Sequence, residues 1–129
     1  MINQVGVCSW SLQPDGVEAL LNSCHDCGIT RVQIALCPLV ERQDEADRLR
    51  HAIRSEELTL CSGMMVTQGE DYSSLESICV TGGLRPDAHW VANIETAKRC
   101  ADLAAELGLK LVSLHAGFID EENPLEKQK

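Results

Sequence analysis

No apolar run in the 129 residues approaches the roughly 20 that a membrane helix needs. The opening MINQVGVCSW holds neither a basic stretch nor an apolar signal core, so a cytoplasmic protein without membrane contact is expected. Basic clusters are lacking too. Lys and Arg number 11 against 20 Asp and Glu, a formal net charge of −9, and the sequence pI is near 4.8. Non-specific nucleic-acid affinity comes from cations that release counterions from phosphates, so nucleic acid is not an expected partner. There is no low-complexity linker, and no internal repeat beyond an alternation of strand-like and helix-like stretches.

Also missing is a second CxxC or any HxxxH to complete the one CxxC, Cys24-His25-Asp26-Cys27. A structural zinc site needs a second ligand pair. A redox CxxC opens a helix, where the dipole lowers the thiol pKa, whereas this one falls at a helix's C-terminal end. Cysteines packed in a helix are the expectation. Seven cysteines, an odd number, without a secretory signal argue for reduced thiols. Most sit in apolar strings such as GVCSW and LTLCSG, where cysteine acts as a small hydrophobe. His25, His51 and His89 are expected on the surface.

What is present is 44% hydrophobic and 24% charged residues, the profile of an ordinary globular domain. Strands are predicted over 4–12, 31–37 (stopped by Pro38), 58–66 and 110–114. Helices are predicted over 16–27, 41–56 and 90–107, with a short one near 74–78. Pro14-Asp15-Gly16 marks a turn, and Gly28 suits a helix C-cap. The apolar stripes expected are Val17, Leu20, Leu21 and Cys24; then Ala46, Leu49 and Ile53; then Val91, Ile94, Ala97, Ala101, Ala104 and Ala105. The long irregular stretch 67–89, with Tyr72 and Gly82-Gly83, has the length of a functional loop. Asn123-Pro124 reads as a helix entry with Pro124 at the first helical position, and Asp120-Glu121-Glu122 as its acidic cap. A β-α-β-α-β-loop-α-β order, plus the stub of one more helix, calls for parallel strands. Periodicity leaves two closures open, a small doubly wound sheet or an arc of a barrel, whose full form takes about 250 residues.

The strings GVCSWSL, DYSSLESICVTGGLRPDAHW and CADLAAELG, the last leading into KLVSLHAGF, resemble in order and spacing the sugar phosphate isomerase/epimerase family of xylose-isomerase-like TIM barrels. The resemblance runs over essentially the whole chain and covers the N-terminal half of the family's barrel. It implies an α/β fold of parallel (β/α) units, one domain over 1–129 with four such units, truncated in the fourth helix. Family sites lie at the C-terminal ends of the strands, which here present Ser9, Trp10 and Ser11, then Leu36 and Cys37, then Ser62, Gly63 and Met64, then His115.

From the resemblance, His115, Trp10 and Ser9 are the expected substrate-binding residues; the Trp10 indole could stack on a sugar ring or equally pack into the barrel mouth. Gln33 stands where many members carry glutamate, and is expected to be a satisfied polar residue under the site. The family's metal ligands, usually Glu, Asp, His and Glu, lie on the second half of the barrel. A divalent metal (Mn, Mg or Zn) is therefore expected in the parent protein, and no metal ligand or catalytic residue in this chain. The parent would be a metal-dependent sugar or sugar-phosphate isomerase or epimerase, and the isolated chain inactive. Two other readings stand beside it. One is a non-catalytic half-barrel binding or assembly module. The other is a zinc phosphodiesterase of the endonuclease IV type, in which His115 would be a metal ligand. A half barrel would expose Val5, Val7, Val32, Ile34, Leu60, Leu111 and Val112 and leave two edges unpaired. A homodimer, or pairing with the missing C-terminal half, is expected.

Overall fold

Short runs that are apolar on one face and small or polar on the other make four strands in the computed structural model, which describes residues 5–119. They are β1 (Gly6–Cys8), β2 (Arg31–Ala35), β3 (Thr59–Met64) and β4 (Val112–Ser113). All pair in parallel, in the order β1-β2-β3-β4. A doubly wound sheet reverses its strand order at a switch point. This one never does, so it is an arc of a barrel.

The helices are α1 (Ser9–Leu12), α2 (Val17–Cys27), α3 (Cys37–Glu41), α4 (Gln43–Arg54), α5 (Leu75–Thr81) and α6 (Trp90–Glu106). A 3-10 turn, Asp87–His89, leads into α6. The core lies between helices and sheet. Leu20 and Cys24 of α2, Ala46 and Leu49 of α4, and Cys100 and Leu103 of α6 close over Val32, Ile34 and Leu36. Each fully buried leucine contributes about 1.5–3 kcal/mol. Gly28, at φ 65°, closes α2 as expected, its amide bonded to carbonyls of Cys24 and His25.

Among the described residues the helices pack on this one face of the sheet, and the composition of the other face corrects an expectation. Val32 and Ile34 are buried under the helices, and Val7, Leu60 and Val112 pack against that core. Of the residues expected on the open face, Val5 and Leu111 are exposed. Side chains alternate along a strand, and β1, β2 and β3 keep Val7, Val32 and Leu60 in register. The open face therefore carries Cys8, Gln33, Ser62 and Ser113. Cys61 is an extra residue between the partners of Val32 and Gln33, and it is exposed.

Other boundaries moved for local reasons. The first strand stops at Cys8, and residues 9–12 coil into one turn that ends on Gln13 at φ 45°. Pro38 does not stop a strand; it stands in the first turn of α3, where its missing N–H costs nothing. The stripe of α6 is rotated from the alanine-rich face. Asn93, Cys100, Leu103 and Ala104 are buried, whereas Val91, Ala101 and Ala105 are exposed. Asn93 sets that rotation by accepting from the Gln68 amide at 2.8 Å and donating to its carbonyl at 3.3 Å. Cysteine burial is also less than the apolar strings imply: Cys24 and Cys100 are buried, but Cys27, Cys61 and Cys79 are exposed. Among the described residues no helix is long and apolar enough to cross a membrane. The expectations for Asp120, Glu121, Glu122, Asn123 and Pro124 lie outside the described residues.

Candidate functional site

The strand C-termini open onto a groove of about 670 Å³ lined by Trp10, Met64, Glu70, Tyr72, Ser113 and His115, among others. Each wall has a local origin. Trp10 is placed by the single turn after β1 and is 49% exposed. Beneath the groove the Gln33 amide donates to the hydroxyls of Ser62 at 3.1 Å and Ser113 at 3.2 Å. Gln33 is thus the satisfied polar residue expected there, tying β2 to β3 and β4.

The far wall comes from the loop after β3. Backbone bonds run from Leu84 N to His115 O and from Arg85 N to Ala116 O, each 3.1 Å. They splice the loop onto the segment after β4. Side chains could not fit at this splice: a Cβ at Gly83 would lie 2.3 Å from Gly117 N, and one at Gly117 2.7 Å from Gly82 O. Both glycines also adopt positive φ, which a β-carbon disfavours.

The splice brings Glu70 to His115. Glu70 Oε1 lies 3.2 Å from His115 Nδ1 and accepts from Thr67 Oγ1 at 2.7 Å and from the Gly83 amide at 2.9 Å. Its Oε2 accepts from the Tyr72 hydroxyl at 3.0 Å. Burial pushes the Glu70 carboxyl up, but the four donors outweigh it and hold the group below its ordinary value. The hydrogen bond to Glu70 raises Tyr72. An ionised carboxylate only accepts, so His115 Nδ1 carries the proton. In the neutral imidazole that leaves a lone pair on the other ring nitrogen. Phe118 packs edge-on against the imidazole, centroids 5.3 Å apart.

The structure therefore brings two of the expected binding residues, Trp10 and His115, to one groove. Ser9 is placed differently. It is buried, and its hydroxyl accepts from the Ala35 amide at 2.9 Å. Glu70 and its cradle were not singled out from sequence. The signal available was the length of the loop and its Gly82-Gly83 pair. His25, His51 and His89 are all exposed. Cys24 is buried, and burial raises its thiol pKa, while its CxxC partner Cys27 is exposed.

The donor set does not make a metal cage. Among the described residues no group of three or more His, Cys, Asp and Glu side chains converges. At the groove, Glu70 and His115 are the pair on offer, and Glu70 is already spent on four donors.

Four parallel strands with helices packed on one face and a polar cluster at the strand C-termini define half of a (β/α)₈ barrel. The crystal structure of a xylose isomerase domain protein from Planctomyces limnophilus shares the fold, with a TM-score of 0.73 at 21% sequence identity. The likeness covers 96% of this chain and 45% of that one, so the chain spans under half of that protein's length. No family model matches the chain, and no curated protein does.

Proposed function

We propose that this chain forms the N-terminal half of a sugar or sugar-phosphate isomerase or epimerase barrel. Its own task there is to bind the sugar rather than to hold the metal. The observation that carries the reading is the His115–Glu70 pair facing the same groove as Trp10 at the strand C-termini. That is the end of a barrel where chemistry is done. Likeness to a xylose isomerase domain protein supports a sugar as the ligand class.

The chemistry follows from the groups present. Glu70 fixes the His115 ring and its tautomer, leaving the second nitrogen to accept a proton from a sugar hydroxyl. The half-exposed indole of Trp10 gives an apolar face for the C–H side of a sugar ring. Among the described residues no Lys or Arg lines the groove, which favours an uncharged part of the substrate on this side of the mouth. A divalent metal (Mn, Mg or Zn) would polarise sugar oxygens in the whole barrel, with its ligands outside this chain. A cytoplasmic setting and assembly with a second half, either another copy or four further β/α units, belong to the same proposal.

NMR titration of the isotope-labelled chain tests it. D-xylose and a sugar phosphate, each raised to roughly 100-fold the top of the usual KM range, should shift the His115 and Trp10 side-chain signals saturably. His115→Ala should remove the response. Silence at both residues would overturn sugar binding and favour a half barrel that only assembles.

A further inference from the structure

Behind the groove wall, on the helix side of the sheet, two thiols meet. Cys37 is the first residue of α3 and Cys100 lies in α6, and their sulfurs are 3.9 Å apart. They are held there by a clamp next to them in sequence. Arg99 Nη1 bonds Glu41 Oε1 at 2.8 Å, and its Nη2 bonds the Val40 carbonyl at 3.1 Å. The clamp joins α3 to α6 one turn beyond the sulfurs. Cys37 also reaches the strand end: the Val66 amide donates to its sulfur at 3.4 Å, and its thiol lies 3.5 Å from the Val66 carbonyl. Val66 itself lines the groove.

We propose that Cys37 and Cys100 form a reversible disulfide under peroxide, and that this bond reshapes the groove wall at Val66. A disulfide has its sulfurs about 2.05 Å apart, so closure takes a movement of roughly 2 Å. Cys37 is the half-exposed partner and Cys100 the buried one, so Cys37 meets the oxidant first. Its thiolate is favoured by the hydrogen bond from Cys100, against the cost of burial, and by the Val66 amide. The same thiol–thiol bond, with burial, raises Cys100.

The chemistry balances in two steps. The Cys37 thiolate attacks one peroxide oxygen, the O–O bond breaks, and Cys37 sulfenic acid and hydroxide result. The Cys100 sulfur then attacks the Cys37 sulfur, the S–O bond breaks, and the thiol proton leaves with hydroxide as water. A glutathione-class thiol reverses the bond by exchange. In the disulfide the Cys37 S–H that faces the Val66 carbonyl is gone.

The test uses the whole chain, treated with one equivalent of hydrogen peroxide, alkylated and digested with trypsin. Peptides 32–42 and 100–110, which hold Cys37 and Cys100, should be recovered joined, and should separate after glutathione. Cys100→Ser should leave a sulfenic acid on Cys37 that dimedone traps. Oxidation of the exposed Cys27, Cys61 or Cys79 while Cys37 and Cys100 stay reduced would overturn the pairing, and the wild-type chain alone gives that answer. An unmoved Val66 amide resonance in the oxidised chain would overturn the link to the groove.

Discussion

Glu70 Oε1 and His115 Nδ1 lie 3.2 Å apart although 45 residues separate them in the chain. The pair makes the groove's electrostatics a property of the loop after β3 as much as of strand β4. It also gives stability a pH dependence of known sign. The Glu70 carboxyl is held below its usual value by Thr67, Gly83, Tyr72 and His115 against the opposing effect of burial. Its contribution is complete above the ordinary carboxylate value of about 4.3. It fades as pH falls through the depressed folded value. Glu70→Gln should cost about 1–3 kcal/mol near pH 7, and the gap from wild type should shrink on acidification to about pH 3. Urea unfolding of both proteins at the two pH values measures this. A gap that does not change would mean that shape, not charge, is what Glu70 supplies.

A second buried carboxylate caps a helix from a distance. Glu45 of α4 accepts from the Val17 amide, the first of α2, at 2.5 Å, with Arg42 at 3.4 Å and Arg48 at 3.6 Å from its other oxygen. Glu45→Ala should destabilise the fold by about 1–3 kcal/mol, since it orphans a buried amide. Glu45→Gln, which still accepts, should recover part of the loss. Chemical denaturation ranks the three; equal stability of all would show that water replaces the cap.

Association is the third prediction. In a solution of this chain alone, the partner available to the open sheet is a second copy. None of the residues in the described strands is acidic, so the strands themselves put no negative charge in the way of pairing. A twofold axis along the barrel would set β4 of each copy beside β1 of the other, giving eight parallel strands and an interface that closes on itself. Sedimentation velocity should show a dimer that dissociates on dilution. Leu111→Lys, placed on the exposed β4 edge, should weaken it at least tenfold, which is about 1.4 kcal/mol. A cooperatively melting monomer at every concentration would contradict this.

The fourth concerns metal. With Glu70 committed to its donors and no third ligand beside His115 among the described residues, Mn²⁺ and Mg²⁺ should give no stoichiometric heat in isothermal titration. Tight binding lost in His115→Ala would show that the groove rearranges into a cage.

How much of this was readable beforehand depended on range. Helix α2 and its Gly28 cap follow from neighbours in sequence, and the sequence reading placed them. The placement of Trp10 and His115 at one groove was legible because each stands at the end of a strand-like run in the sequence. The failures are long-range. The rotation of α6 is set by Asn93 holding the backbone of Gln68, a polar bond that apolar periodicity does not see. The bond from the Ala35 amide to the Ser9 hydroxyl likewise joins residues far apart in the chain. Glu70 hid in a loop whose shape is fixed by residues more than ten positions away. Pro38 was taken for a strand stop because it breaks helices and strands alike, except in the first turn of a helix, where it sits.

The backbone splice between 82–85 and 115–117 has an evolutionary consequence. Gly83 and Gly117 each face main chain of the other segment at closest approach, and backbone has little room to absorb a change. A larger residue at one of them cannot be accommodated by repacking; it needs an answering change in the other segment. Loop length and the β4 exit are therefore bound to drift together, and new specificity at this rim has to arise from what the splice leaves free, at Tyr72 and Trp10.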